Sequence, residues 1–180
     1  MQTQTIKNAP VREDQFPING TDHIEFYVGN AKQACHYYQS AFGFDLIAYR
    51  GPETGDREKV SYVLRQGKIT FVLTSALYPG HEIARHVHEH GDGIKVLALW
   101  VDDADEAYQT ALGRGAVSAF PLQTLEDANG KVRMAAIKTY GETIHTFVER
   151  NEYQGAFLPG FQPRTSGMEV RSLGFKYVDH

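Results

Sequence analysis

The N-terminal part of the chain alternates between short runs of apolar and polar positions, with one helical stripe among them. Residues 22–28 alternate with the two-residue period of a strand. A helix is predicted over 31–42, because apolar residues recur there at helical spacing. Asn30 and Gln33 fit a capping box at its start, and Gly43 supplies a left-handed stop at its end. Three further strands are predicted, over 44–49, 60–65 and 69–75.

The same β-α-β-β-β order recurs further along the chain. A strand is predicted over 95–102, followed by a helix over 104–112 that Asp103 caps. Strands are then predicted at about 119–126, 131–139 and 143–150. Aligning Val28 with Val101 superimposes the two helix starts and defines an internal repeat of about 73 residues. A repeat of this length indicates a duplicated module.

These patterns predict an α+β fold with one domain over 21–152. Its two modules lie at about 21–77 and 94–150. The segment 80–92 between the modules is predicted as a connecting helix, with Ile83 and Val87 facing inward.

The two ends of the chain have different compositions. Residues 1–20 are polar and contain prolines, which predicts an irregular leader. Residues 153–172 are rich in glycine and proline and are predicted as a linker. Residues 173–180 end in Asp179-His180, as the first predicted strand begins with Asp22-His23. We expect 173–180 to be the first strand of a second, truncated domain.

Composition excludes several classes of protein. The chain has 180 residues, is 42% hydrophobic and 22% charged, and carries a formal net charge of -4, so it has no basic surplus for nucleic acid. Its apolar runs are too short to span a membrane. Its only cysteine is Cys35, which rules out an internal disulfide and fits the cytoplasm. Cys35 lies on the apolar stripe of the first helix, which favours a buried, inert thiol.

Three residues suggest a metal site on the sheet. An iron site of the facial-triad type needs two histidines and one carboxylate, which His23, His145 and Glu149 could supply. His145 and Glu149 are four residues apart on a strand and therefore share a face of the sheet. A glyoxalase-like site built on His23 and Glu149 is a second hypothesis. The alternative is that all three are ordinary sheet residues.

A histidine-rich run over 81–90 is a further candidate. It does not match the zinc-protease motif, because Arg85 stands where the second histidine should be. His86 and His90 lie one helical turn apart and could chelate a metal. A solvated helix face is the alternative interpretation.

Long stretches of the chain resemble the 4-hydroxyphenylpyruvate dioxygenase family, specifically its N-terminal half. The resemblance runs from about Asp22 to His180, and its most specific parts are VGNAKQACHYYQSAFGFDLIAYRGPETGDRE, QGKITFVLTSAL, HGDGIK and TYGETIHTFVERNEYQGAFLPGF. It implies the vicinal-oxygen-chelate fold, whose unit is the β-α-β-β-β module. It also implies four such modules in the complete enzyme, of which this sequence holds two and the start of a third.

The resemblance also implies an activity. The family uses Fe(II) to convert 4-hydroxyphenylpyruvate and O₂ to homogentisate and CO₂ in tyrosine catabolism, and the enzyme is expected to be a homo-oligomer. The family's first iron ligand corresponds to His180, whereas the second histidine and the glutamate lie further along the family's chain. We therefore expect these 180 residues alone to be inactive. The sister enzyme 4-hydroxymandelate synthase and a non-catalytic module that binds a small molecule are alternatives.

Overall fold

The computed structural model describes Phe16 and residues 18–179, and these follow the predicted duplicated order. The first module consists of β1 (Gly20–Tyr27), α1 (Ala31–Phe42), β2 (Asp45–Arg50), β3 (Lys59–Gln66) and β4 (Ile69–Ala76). The connecting helix is α2 (Glu82–His90). The second module consists of β5 (Gly93–Trp100), α3 (Ala104–Gly113), β6 (Ser118–Asp127), β7 (Gly130–Lys138) and β8 (Ile144–Glu149). A short strand, β9 (Gln162–Pro163), follows.

The nine strands found in the described residues belong to one mixed sheet in the order β6-β7-β8-β5-β1-β4-β3-β2-β9. Within the modules, β1 pairs with β4 and β5 with β8 in parallel, whereas the remaining pairs are antiparallel. The antiparallel pair β1–β5 joins the modules, so the first strand of each repeat lies at the seam between them.

The internal repeat is confirmed at the level of single hydrogen bonds. The backbone N–H of Val28 donates to the carbonyl oxygen of Thr74 at 2.9 Å, and that of Val101 donates to Val148 at 3.1 Å. Each bond joins the end of a module's first strand to its last strand. The alignment of Val28 with Val101 therefore superimposes equivalent positions.

The predicted N-cap residues Asn30 and Asp103 are confirmed, although at Asn30 the structure shows the N-cap bond and not the reciprocal bond from the Gln33 side chain. The Asn30 side chain accepts from the backbone N–H of Gln33 at 3.0 Å, and Asp103 accepts from Asp105 and Glu106. Gly43 ends α1 with a φ of 70°, which a residue without Cβ adopts at little cost. The apolar stripes of α1 and α3 each pack on the strands of their own module, on the outer face of the sheet. In α2, Ile83 is buried and Val87 is half-buried.

The opposite face of the sheet, which we call the inner face, carries a core shared by both modules. Val63 and Val72 from the first module meet Ala98, Val132 and Val148 from the second. Burying one continuous apolar surface between the modules makes them a single folding unit rather than two independent ones.

Residues 153–172 differ from the linker that their composition predicts. The side chains of Tyr153, Phe157 and Leu158 are buried in the inner-face core, and β9 pairs with the edge strand β2. Glycine and proline allow the turns in this segment, but its apolar side chains decide where it lies. We call residues 153–161 the plug.

The C-terminal segment also differs from its prediction, because the described residues 173–179 form no strand. A strand requires a ladder of backbone hydrogen bonds, whereas the contact here is a bond from the N–H of Lys68 to the carbonyl of Lys176 with no strand pairing around it. The side chain of Gln66 adds a bond that it accepts from the N–H of Phe175 at 2.8 Å. None of the helices in the described part of the chain has the length and apolar character needed to cross a bilayer.

Candidate functional site

His23 lies on β1 at the seam, opposite Ala98 of β5, and is 4% exposed. Its ring packs edge-to-face on Phe157 of the plug, with 5.0 Å between ring centroids. Its Nδ1 lies 2.6 Å from Oδ1 of Asp22. The buried imidazole is thus held by a carboxylate and an aromatic ring of its own chain.

Asp22 is the centre of a buried charged cluster. Arg150, directly after β8, donates to both of its carboxylate oxygens, and a third guanidinium nitrogen donates to the carbonyl of Phe157. Burial by itself would raise the pKa of Asp22, but the hydrogen bonds and charges of His23 and Arg150 outweigh it and lower the pKa to about 2. Asp22 is therefore a stable anion that ties β1, β8 and the plug together.

The carboxylate of Glu149 is engaged by a helix start and by an arginine. Its Oε2 accepts from the backbone N–H of Ala104 at 3.0 Å and from Nη1 of Arg133 at 2.9 Å. In the first module, Ser75 occupies the matching place and accepts from the N–H of Ala31 at 3.3 Å. Glu149 therefore satisfies the start of α3, where a helix has free N–H donors and favours negative charge.

The strand register separates His23 from the other two candidate ligands. His145 is paired with Leu97, which in turn is paired with Ile24. Directly paired residues share a face and consecutive residues alternate, so His145 and His23 lie on opposite faces of the sheet. Glu149 lies on the face of His145. The iron triad of these three residues and the glyoxalase-like pair His23 and Glu149 are therefore both wrong.

The inner face holds a buried polar chain that sequence reasoning missed. Thr74 donates through its hydroxyl to Oε1 of Glu25 at 2.6 Å, and the hydroxyl of Ser61 lies 2.8 Å from that of Thr74. Ser61 and Thr74 are almost fully buried. One carboxylate and two hydroxyls satisfy one another here. The arrangement stabilises the sheet and lacks the imidazole ligands of an iron site.

The histidine-rich helix does bring metal-ligating groups together. His86 and His90 lie next to Glu142, from the turn between β7 and β8, with one ligand atom of each within 4.8 Å of the others. The helical spacing of the histidines is visible in the sequence. No sequence pattern around Glu142 indicates that it joins the two histidines, because its position next to them depends on how the second module folds against α2.

Cys35 is buried and free, as predicted. Its thiol lies 3.3 Å from Oε1 of Gln39, one helical turn away. Burial raises the pKa of the Cys35 thiol to about 11, which keeps it protonated at neutral pH. His180, the one metal ligand that the resemblance implies, lies outside the described residues.

The family is shown by a direct match. A family model described as "Hydroxyphenylpyruvate dioxygenase, HPPD, N-terminal" matches residues 13–159. The chain belongs to this family. The 4-hydroxyphenylpyruvate dioxygenase of Aspergillus fumigatus is 49% identical in an alignment of 160 positions that covers 81% of this chain and 40% of that protein. The dioxygenase of Danio rerio is 50% identical over 142 residues, which are 78% of this chain and 36% of that protein.

This member of the dioxygenase family thus spans about two fifths of the length of the curated relatives it matches. A variant of 4-hydroxymandelate synthase from Streptomyces coelicolor superposes with a TM-score of 0.72 at 30% identity, over 86% of this chain and 45% of that one. Methylmalonyl-CoA epimerase from Mycobacterium tuberculosis superposes with a TM-score of 0.59 at 21% identity, over 73% of this chain and 88% of that one. The vicinal-oxygen-chelate fold is confirmed.

Proposed function

We propose that this chain is the N-terminal, non-catalytic half of an Fe(II)-dependent 4-hydroxyphenylpyruvate dioxygenase. The enzyme would convert 4-hydroxyphenylpyruvate and O₂ to homogentisate and CO₂. The observation that carries the proposal is the similarity to curated dioxygenases, at 43–50% identity over 78–89% of this chain. The proposed role of these residues is to fold as a scaffold against which the catalytic half is built.

The inner face supports a non-catalytic role. A curled sheet can hold a substrate only where its concave face is open, and here the plug fills that face with Tyr153, Phe157 and Leu158. The one inner-face histidine at the seam, His23, is already engaged by Asp22 and Phe157. Within the described residues, the one group of three metal-ligating side chains lies at α2 and not on this face.

The iron would be bound by His180 and by two residues supplied from the part of the relatives beyond the matched region. When bound, the iron would hold the α-keto acid of the substrate and activate O₂. Residues 173–179, which we call the tail, support a continuation into a further domain, because they expose large apolar side chains. These are Leu173, Phe175 and Tyr177. Apolar residues grouped on one segment are typical of a surface that is covered in the complete protein.

We also propose the following domain boundaries: a leader over 1–20, the two-module domain over 21–152, and a second domain that begins at 173–180. We also propose a homo-oligomer and a cytoplasmic location. The second is supported by the single free cysteine, Cys35.

4-Hydroxymandelate synthase is the second candidate, favoured by its structural similarity at a TM-score of 0.72. Its identity to this chain is 30%, whereas the curated dioxygenases reach 43–50%. The dioxygenase is therefore the better supported proposal. A binding module without catalysis would need a cavity on the inner face, where Tyr153, Phe157 and Leu158 of the plug are buried.

The experiment that tests the proposal uses a chimera. The part of the Danio rerio dioxygenase that ends at its counterpart of His180 is replaced by this chain, so that His180 supplies that position, and homogentisate is measured with Fe(II), O₂ and 4-hydroxyphenylpyruvate. The chimera should form homogentisate, and the 180-residue chain alone should form none. Turnover by the chain alone, or a folded and iron-loaded chimera without turnover, would contradict the proposal.

A further inference from the structure

The last turn of α2 and the turn between β7 and β8 form a cluster of three metal-ligating side chains. His86 and His90 project from the same face of the helix because they are four residues apart. Glu142 reaches them from the second module. Within the described residues, this is the one group of three such side chains whose ligand atoms all approach within 4.8 Å.

Two of the three distances between the ligand atoms are close to the edge of a coordination polyhedron, and all three are within 4.8 Å. Nδ1 of His86 lies 3.1 Å from Oε2 of Glu142, and Nε2 of His90 lies 3.5 Å from the same oxygen. Ligand atoms at about 2.0–2.1 Å from a tetrahedral Zn²⁺ are separated by about 3.3 Å. An ion could thus enter between the three side chains with little movement of the backbone.

The backbone below the cluster is held in place by neighbouring residues. Nζ of Lys95 on β5 donates to the carbonyl of Glu142 at 2.6 Å, and the backbone N–H of Thr139 donates to the carbonyl of Thr143 across the turn. The ring of Tyr27 packs edge-to-face on His86, with 5.4 Å between centroids. His86 is buried, whereas His90 and Glu142 are about half-exposed, which leaves an open side for solvent.

We propose that His86, His90 and Glu142 bind a divalent transition metal ion of the zinc type, with water completing its coordination. Two imidazoles and one carboxylate suit Zn²⁺ and its neighbours, whereas Mg²⁺ and Ca²⁺ prefer oxygen ligands throughout. The bound ion cross-links the connecting helix α2 to the second module. It therefore stabilises the arrangement of the two modules and makes the melting temperature of the chain dependent on the metal.

The test measures Zn²⁺ binding by calorimetry and by competition with a chromogenic chelator, on the wild-type chain and three variants. His90→Ala and Glu142→Gln each remove a half-exposed ligand, so the fold is retained. His88→Ala is the matched control, because His88 is exposed on the same helix and lies outside the cluster. The wild type and His88→Ala should bind one Zn²⁺ per chain with equal affinity and gain thermal stability.

His90→Ala and Glu142→Gln should each weaken binding by more than about tenfold, since loss of an outer-shell partner alone has that effect at known sites. An excess of Mg²⁺ should not displace the Zn²⁺. The proposal would be overturned by a wild type that binds no Zn²⁺, by unchanged affinity in the His90 and Glu142 variants, or by an equal loss in His88→Ala. Displacement by Mg²⁺ would overturn the assigned class of metal.

Discussion

Asp22 on β1 and Arg150, the residue after β8, form a two-point ion pair across the seam between the modules. Nε of Arg150 lies 2.6 Å from Oδ2 of Asp22, and Nη2 lies 2.6 Å from Oδ1. The same guanidinium donates to the carbonyl of Phe157. One arginine therefore connects the first module, the second module and the plug. The charge of Asp22 should be a main determinant of how the molecule responds to acid.

The first prediction concerns Asp22→Asn. The folded pKa of Asp22 is about 2, below the ordinary value of 3.8, so the carboxylate stabilises the fold above about pH 4 and loses this effect as the pH falls toward about 2. The shift corresponds to a contribution on the order of 2 kcal/mol at neutral pH. Urea unfolding of Asp22→Asn at neutral pH should show a loss of at least about that size.

The difference between the wild type and Asp22→Asn should shrink as the pH is lowered from about 4 to about 2. The control is Asp45→Asn, because Asp45 is exposed on β2. That variant should unfold like the wild type over the whole range. A difference between wild type and Asp22→Asn that stays constant down to about pH 2 would argue against this account of the ion pair.

The second prediction compares Glu149→Ala with Ser75→Ala, its counterpart in the first module. Glu149→Ala leaves the buried N–H of Ala104 without its acceptor and takes from Arg133 the nearer of its two carboxylate partners, so we expect a loss of about 1–3 kcal/mol. Ser75→Ala removes one longer, neutral hydrogen bond and should cost about 1 kcal/mol or less. Denaturant unfolding measures both.

Metal analysis of the same two variants separates a helix cap from a metal ligand. Because Glu149 already serves α3 and lies on the opposite face from His23, Glu149→Ala should retain as much bound metal per folded chain as the wild type. Loss of metal in Glu149→Ala, with none in Ser75→Ala, would restore the glyoxalase-like hypothesis.

The third prediction concerns the tail and Gly67. A Cβ at position 67 would lie 2.6 Å from the carbonyl oxygen of Phe175, and the glycine has a φ of +58°. Gly67→Ala should displace the tail and speed tryptic cleavage after Lys176. Gly141→Ala is the control. Gly141 has a similar φ of +54°, so the backbone strain is matched, but it has open space where a Cβ would lie. Cleavage after Lys176 should be unchanged in that control; equal rates in both variants would show that Gly67 does not position the tail.

The sequence predicted most of the fold because the signals for it are local. The caps at Asn30 and Asp103 and the apolar stripes of both helices depend on neighbouring residues, and so does the repeat that aligns Val28 with Val101. The plug was not predicted, because its glycines and prolines are typical of a linker. The burial of Phe157 depends on a core that both modules complete.

The candidate site was harder to predict, since its partners are distant in sequence. His23 has the residue type of a ligand, but Arg150 fixes the charge of its neighbour Asp22 from 128 positions away. His86 and His90 were identified by helical spacing, whereas Glu142 joins His86 from 56 positions away. The resemblance to a family carried more information about function than any of these single residues.

The most direct test of the proposed half-enzyme measures iron in the chimera with the catalytic part of the Danio rerio dioxygenase. His180→Ala and His23→Ala are compared for iron per folded chain and for homogentisate formation. We expect His180→Ala to lose iron and activity together, because two remaining ligands hold a labile divalent ion poorly. His23→Ala should keep its iron and lose only folding stability. If His23→Ala lost the iron while His180→Ala retained it, the assignment of the non-catalytic half would be contradicted.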